Sequence, residues 1–409
     1  MTLSLLVTKK PHYYSEASER TKNSTIFRPN RIKNTHFSTI CGILTPFKSA
    51  PAENGNNGED MMAQTQKENK RILWLDAARE IAILLVVLGH LFEESPVFRF
   101  AFPAHHVVYS FHMALFFILS GLTFSDRETR FFRFAARRAR TILLPYAVLW
   151  ILLTFWFLFV KKFQPLTLRN LGSLLWLMCG TSYGYYWFLP GIFTAQCMMY
   201  WLKRCPGGMP VQGIIAVALA ALGVIGASKG WIPLMVLHLD IAMLGLPFLW
   251  LGYQLKMNRA RLSRVYNSKW LPAAALAVFI VCNVISIRVL HEQSNFFFNL
   301  KISNPLLMVP SAISGSALAI WIARRPLVYN MQPLTWCGKH SLIFFGLHYY
   351  ALWIAGYGIG KAFLHYNTPM YVSIPVLLLQ FLTAVLITSV MVLLYLLIRK
   401  LVFRKRRTD

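Results

Sequence analysis

Four ionisable side chains share one face of the apolar stretch RILWLDAAREIAILLVVLGHLFEE, residues 71–94. With successive residues of a helix 100° apart, Asp76, Arg79, His90 and Glu94 fall within about 60° of one another. The path from Asp76 to Glu94 is roughly 27 Å of helix, close to the thickness of a bilayer core. Ionisable groups are expensive in lipid, so this line should face the protein interior and mark a pathway or a reaction site. His90 is the chemically most versatile member. A neutral imidazole takes a proton from a hydroxyl at physiological pH, and Glu94, or its neighbour Glu93, stands where it can orient the ring. Asp76 and Arg79, three residues apart, fit an ion pair at the other end of the same helix.

Further candidates lie downstream. His112 opens the apolar segment SFHMALFFILSG and lies on the same side of the membrane as His90, because one short connection separates them. Ser120 and Gly121 end that segment; the glycine suits close helix packing and the serine is a candidate ligand contact. The connection SDRETRFFRFAARRARTILLPY is the densest basic cluster. Most of it reads as anchoring, but Arg137 and Arg140 share a helix face if the next span begins inside the loop. Paired guanidinium forks bind phosphate oxygens, with lipid phosphate as the competing partner. Trp187 in YGYYWFLPGIFTAQ, the rare intramembrane carboxylate Asp240, and His348 in GKHSLIFFGLHYY are candidates for substrate contact. His238 and Asp240 are two residues apart, which in a regular helix points them to different sides.

The elements that would position these residues are membrane helices. Of 409 residues, 56% are hydrophobic and only 14% charged. Apolar runs of spanning length recur along the chain, so the class is an all-α, polytopic integral membrane protein. Ten spans are expected, at about 72–92, 107–124, 141–160, 183–201, 211–228, 232–254, 270–290, 305–323, 340–358 and 373–398. The short apolar run Leu171 to Cys179 fits a re-entrant or interfacial segment. The net charge of +27 would suggest nucleic acid in a soluble protein. Here the cations sit mostly in loops and tails, where they set orientation and meet anionic lipid, and no basic aromatic domain is left to hold nucleic acid. Summed over the chain, the segments that become internal with the N-terminus inside hold most of the Lys and Arg, which places both termini in the cytoplasm. Residues 1–70 are polar, basic and expected to be disordered, residues 71–400 form the membrane domain, and 401–409 are a basic cytoplasmic tail. The cysteines Cys41, Cys179, Cys197, Cys205, Cys282 and Cys337 are scattered without metal-ligand spacing, so no metal is expected.

The segments LDAAREIAILLVVLGH, SFHMALFFILSG, RRARTILLPY, YWFLPGIFTAQ, LPFLWLGYQL and GKHSLIFFGLHYY, in this order across residues 71 to about 350, resemble the membrane acyltransferase family 3, in style its fucose 4-O-acetylase-like branch. The resemblance implies O-acyl transfer, usually acetyl, from cytoplasmic acyl-CoA to a hydroxyl of a glycan or small molecule at a bacterial cytoplasmic membrane. It implies that His90 is the catalytic histidine, with Glu94 and His112 beside it. It further implies that Arg137 and Arg140 serve the CoA side and that Asp76 and Arg79 match the family's DxxR. Glu80 departs from the pattern, where a small residue or lysine is more usual, and the N-terminal extension is unmatched. The rival readings are a transporter or flippase of glycans or acylated sugars, a membrane sensor without chemistry, and a homologue that uses succinyl-CoA.

Overall fold

The computed structural model describes residues 72–94, 98–125, 127–159, 186–229, 236–266, 268–291, 304–363 and 370–405. The expected disordered extension, the Leu171 to Cys179 run and the last four residues lie outside the described residues. Among the described residues there is no strand.

The first expected span is helix α1, Leu73–Glu94. The second is broken in two, α2 at Phe98–Tyr109 and α3 at His112–Leu122. Helix α4, Phe131–Phe159, begins well inside the basic loop, so Arg137 and Arg140 are helical and share a face. Then come α5 (Phe188–Leu202), α6 (Gly208–Ser228) and α7 (Leu239–Met257). The next two, α8 (Trp270–Val284) and α9 (Pro305–Ala323), pack on each other. A short helix α10 (Gln332–Lys339) precedes α11 (Ser341–Ala355), and α12 spans Met370–Lys405, carrying the helix into the expected tail. Among the described residues, six helical segments are long and apolar enough to cross a membrane, one of them running through the α2–α3 junction. Large apolar residues such as Ile214, Leu306, Leu386 and Ile398 are exposed, as a lipid-facing surface requires.

Two helices organise the packing. Helix α1 touches α2, α3, α9, α10, α11 and α12, whereas α7 touches α3, α5 and α6. The α3–α7 crossing depends on glycine. A Cβ on Gly121 would lie 2.0 Å from the Leu249 carbonyl oxygen, and one on Gly252 would lie 2.1 Å from that of Ile118. Backbone meets backbone there, which is how membrane helices gain packing without a hydrophobic driving force. Gly338 of α10 likewise sits on the Asp76 carbonyl, 2.0 Å from its would-be Cβ, and fixes the first turn of α1.

Candidate active site

His90 lies one turn from the end of α1, with its side chain 29% exposed. Its Nδ1 is 3.2 Å from Oε2 of Glu93. A carboxylate only accepts, so Nδ1 carries the hydrogen and the Nε2 lone pair is left for a substrate proton. Of the two acids that could orient the ring, Glu93 makes this contact; the Glu94 side chain is outside those described. The other Glu93 oxygen, Oε1, takes a hydrogen bond from His105 Nε2 at 3.3 Å. Tyr109 also hydrogen-bonds Glu93 and stacks on His105, ring centres 4.0 Å apart. Gly89 makes room for it, since a Cβ there would lie 2.5 Å from the Tyr109 ring.

Two more imidazoles close the cluster. His112 is buried and donates Nδ1–H to the Val108 carbonyl at 2.9 Å, while Tyr109 meets its edge at 4.8 Å. His348 of α11 stacks on His90 at 5.7 Å with 20° between the planes, and donates Nδ1–H to the Phe345 carbonyl. His348 therefore stands with the candidate base instead of with the other expected substrate contacts. Carbonyl oxygens cannot donate, so the tautomers of His112 and His348 are set by the helix backbone, and each keeps an Nε2 lone pair. The break between α2 and α3 at Ser110 and Phe111 is what turns His105, Tyr109 and His112 toward α1.

A second polar corner joins α5 and α7. Leu237 and His238 both have positive φ, 54° and 50°. That conformation costs a non-glycine residue about 1–2 kcal/mol. Thr194 holds the turn by donating to the Leu237 carbonyl at 2.8 Å. Because His238 sits before the helix and not in it, its ring swings back over the first turn. His238 Nδ1 comes within 4.0 Å of Asp240 Oδ1, with both side chains fully buried. The regular-helix expectation that the two diverge therefore fails at this left-handed turn. Trp187, half-buried, meets His238 edge-on at 6.5 Å. Aromatic contacts run from Trp187 through Phe188 and Phe345 to His348, connecting the corner to the histidine cluster.

The opposite end of α3 is cationic. Arg138 donates to the Ser125 carbonyl at 3.0 Å and lies 5.3 Å from the Phe134 ring centre. Lys256 donates to the Phe124 carbonyl at 2.7 Å. These cations satisfy carbonyls just past the C-terminus of α3, where the helix dipole favours positive charge. Arg204 lies over the Tyr200 ring at 3.5 Å and Lys203 over Tyr253 at 5.6 Å. Arg137 pairs with Glu128, and both Arg137 and Arg140 are exposed. The inward cation of the RRAR run is thus Arg138, which the spacing argument passed over because it considered only the pair three residues apart. Between the two ends, Gln196 of α5 donates Nε2–H to Ser120 Oγ at 2.9 Å.

At the start of α1, Asp76 is buried and accepts from Arg79 at 3.1 Å, with the Arg79 side chain 34% exposed. The stripe thus runs inward at Asp76, partly outward at Arg79 and half-exposed at His90. Glu80 is buried against Cys337 of α10, and neither of its oxygens has a hydrogen-bond partner among the described residues. Among the described residues, no group of three His, Cys, Asp or Glu side chains could hold a metal ion. Glu93, His105 and Tyr109 are the site residues that sequence reasoning did not settle on; the signal was the i, i+3 spacing of His90 and Glu93.

No curated protein and no solved structure matches the chain. A family model described as an acyltransferase domain matches residues 72–398. With most of its length inside that match, and with the helices just described, the chain belongs to the acyltransferase 3 family of multi-pass membrane acyltransferases.

Proposed function

We propose that this protein is an O-acyltransferase of the bacterial cytoplasmic membrane. It moves an acyl group, acetyl in the simplest case, from cytoplasmic acyl-CoA to a hydroxyl of a sugar or cell-surface polysaccharide. In this reading the chain has ten spans and both termini inside, so the cationic end of α3 faces the cytoplasm and the histidine cluster lies toward the outer side. The observation that carries the proposal is the bond from His90 Nδ1 to Glu93, which leaves one imidazole nitrogen free to act as a base.

The acceptor hydroxyl gives its proton to His90 Nε2 as its oxygen attacks the thioester carbonyl carbon. Glu93 stabilises the imidazolium that forms, as a carboxylate does for a catalytic histidine in general. His112 and His348 flank the reacting groups. The C–S bond then breaks, and His90 returns the proton to the departing thiolate. The products are an ester and a thiol, so atoms and charge balance with His90 regenerated. Arg138, Lys256, Lys203 and Arg204, with Arg137 and Arg140 at the exposed edge, supply positive charge for the donor's phosphates. Trp187, His238 and Asp240 suit a sugar, whose ring faces stack on aromatics and whose hydroxyls hydrogen-bond to polar side chains.

The test uses purified protein in lipid nanodiscs with acetyl-CoA, succinyl-CoA and candidate glycan acceptors, reading thiol release and the acylated product by mass spectrometry. Acceptor-dependent thiol release that vanishes in His90→Ala is expected. Translocation of a glycan with no thiol release from either donor would favour the transporter reading.

A further inference from the structure

Gln196 is the polar residue in the middle of the bundle that the chemistry above leaves without a task. It is 8% exposed, on α5, among apolar neighbours. Its amide nitrogen is used, donating to Ser120 Oγ at 2.9 Å. Its amide oxygen is buried and has no hydrogen-bond partner among the described residues. A buried carbonyl of this kind costs about 1–3 kcal/mol when left unsatisfied. Such a group calls for a partner, a water or a bound molecule. The bond to Ser120 fixes which end of the amide is nitrogen, so the side chain offers an acceptor and not a donor. Ser120 itself is partly exposed.

Position narrows the ligand. Ser120 is five residues from Ser125, whose carbonyl Arg138 holds, and eight from His112. His112 is thus roughly 12 Å away along α3, and the Ser125 carbonyl lies just past the helix end at Leu122. A molecule with its phosphates at Arg138 and its thioester at His90 must pass this level with the middle of its arm. In coenzyme A that middle carries two secondary amides, whose N–H groups need acceptors once out of water.

We propose that Gln196, oriented by Ser120, accepts a hydrogen bond from an amide N–H of the donor's pantetheine arm and so selects donors that carry one. This rests on the acyl-transfer reading above. The experiment compares three acetyl thioesters: acetyl-CoA and S-acetylpantetheine, which carry both amides, and S-acetyl-2-mercaptoethanol, which carries none. In Gln196→Met, kcat/KM should fall about fivefold for the two amide donors, the loss of one neutral hydrogen bond, and stay unchanged for the third. Equal losses on all three donors, or none on any, overturn the proposal. Should Gln196→Met fail to fold in detergent, Ser120→Ala, which removes only the orienting oxygen, carries the same comparison. A wild-type protein inactive with all three thioesters would instead overturn acyl transfer itself, and this proposal with it.

Discussion

The two ends of helix α3 are built differently. At the histidine end, the candidate base is held by side chains. Glu93 receives His90 and His105 on separate oxygens, and His348 stacks on His90. At the other end, cations bond to backbone carbonyls and lie over aromatic rings, as Arg138, Lys256 and Arg204 do. The first arrangement fixes atoms, tautomers and ring planes. The second gathers charge on groups rich in N–H donors, five on a guanidinium and three on an ammonium. One end suits proton transfer at a defined atom; the other suits holding an anion whose placement is less exacting. Altering the first should therefore lower kcat, and altering the second should raise the KM for the donor.

His90→Ala gives the largest effect. Removing a general base lowers transfer by about 10²–10⁴-fold. The protein should still extract as a folded, inserted species with an unchanged thermal midpoint. Full acetylation by that variant would take His90 out of the mechanism. Glu93→Gln comes next. It keeps the shape but turns an acceptor-only group into one that can present N–H to His90, and kcat should drop by about a hundredfold with donor KM unchanged. A change confined to KM would move Glu93 from orienting the base to binding.

Arg138→Gln tests the cationic end. Loss of a charged hydrogen bond worth about 1.5–3 kcal/mol predicts a donor KM raised at least tenfold, with kcat nearly constant. A kcat effect matching that of Glu93→Gln would erase the contrast between the ends. The smallest effect is expected for Arg137→Ala with Arg140→Ala. Both are exposed and Arg137 is paired with Glu128, so screening should hold the KM change to about threefold. A larger effect than that of Arg138→Gln would return the phosphate site to the pair three residues apart.

Much of the helix layout was legible in advance. Helices α1, α8 and α9 fall where the apolar runs placed them, because segments of spanning length must be helical to satisfy their backbone in lipid. The break at Ser110 was not legible. Phe98–Tyr109 reads as apolar through Pro103, and only packing against α1 shows that a second helix begins at His112. The face angle of α1 brought out His90 but left Glu93 and Glu94 as alternatives for its partner. A wheel reports direction from the axis, whereas a hydrogen bond depends on how a flexible side chain curls back one turn. Arg138 was missed for a related reason: in a run of three cations in four residues, only the neighbours of the helix decide which one turns inward.

Amino-acid composition and the order of the segments determined that this chain is a membrane acyltransferase with a histidine near the end of its first helix, since hydrocarbon tolerates few backbone solutions and few buried charges. Tertiary structure decided that His105 joins Glu93, which arginine faces the core, and that His238 bends back to Asp240. Those outcomes depend on distances of three to four ångström between residues far apart in the chain or on non-helical turns, and a pattern of spacings along one helix carries no information about either.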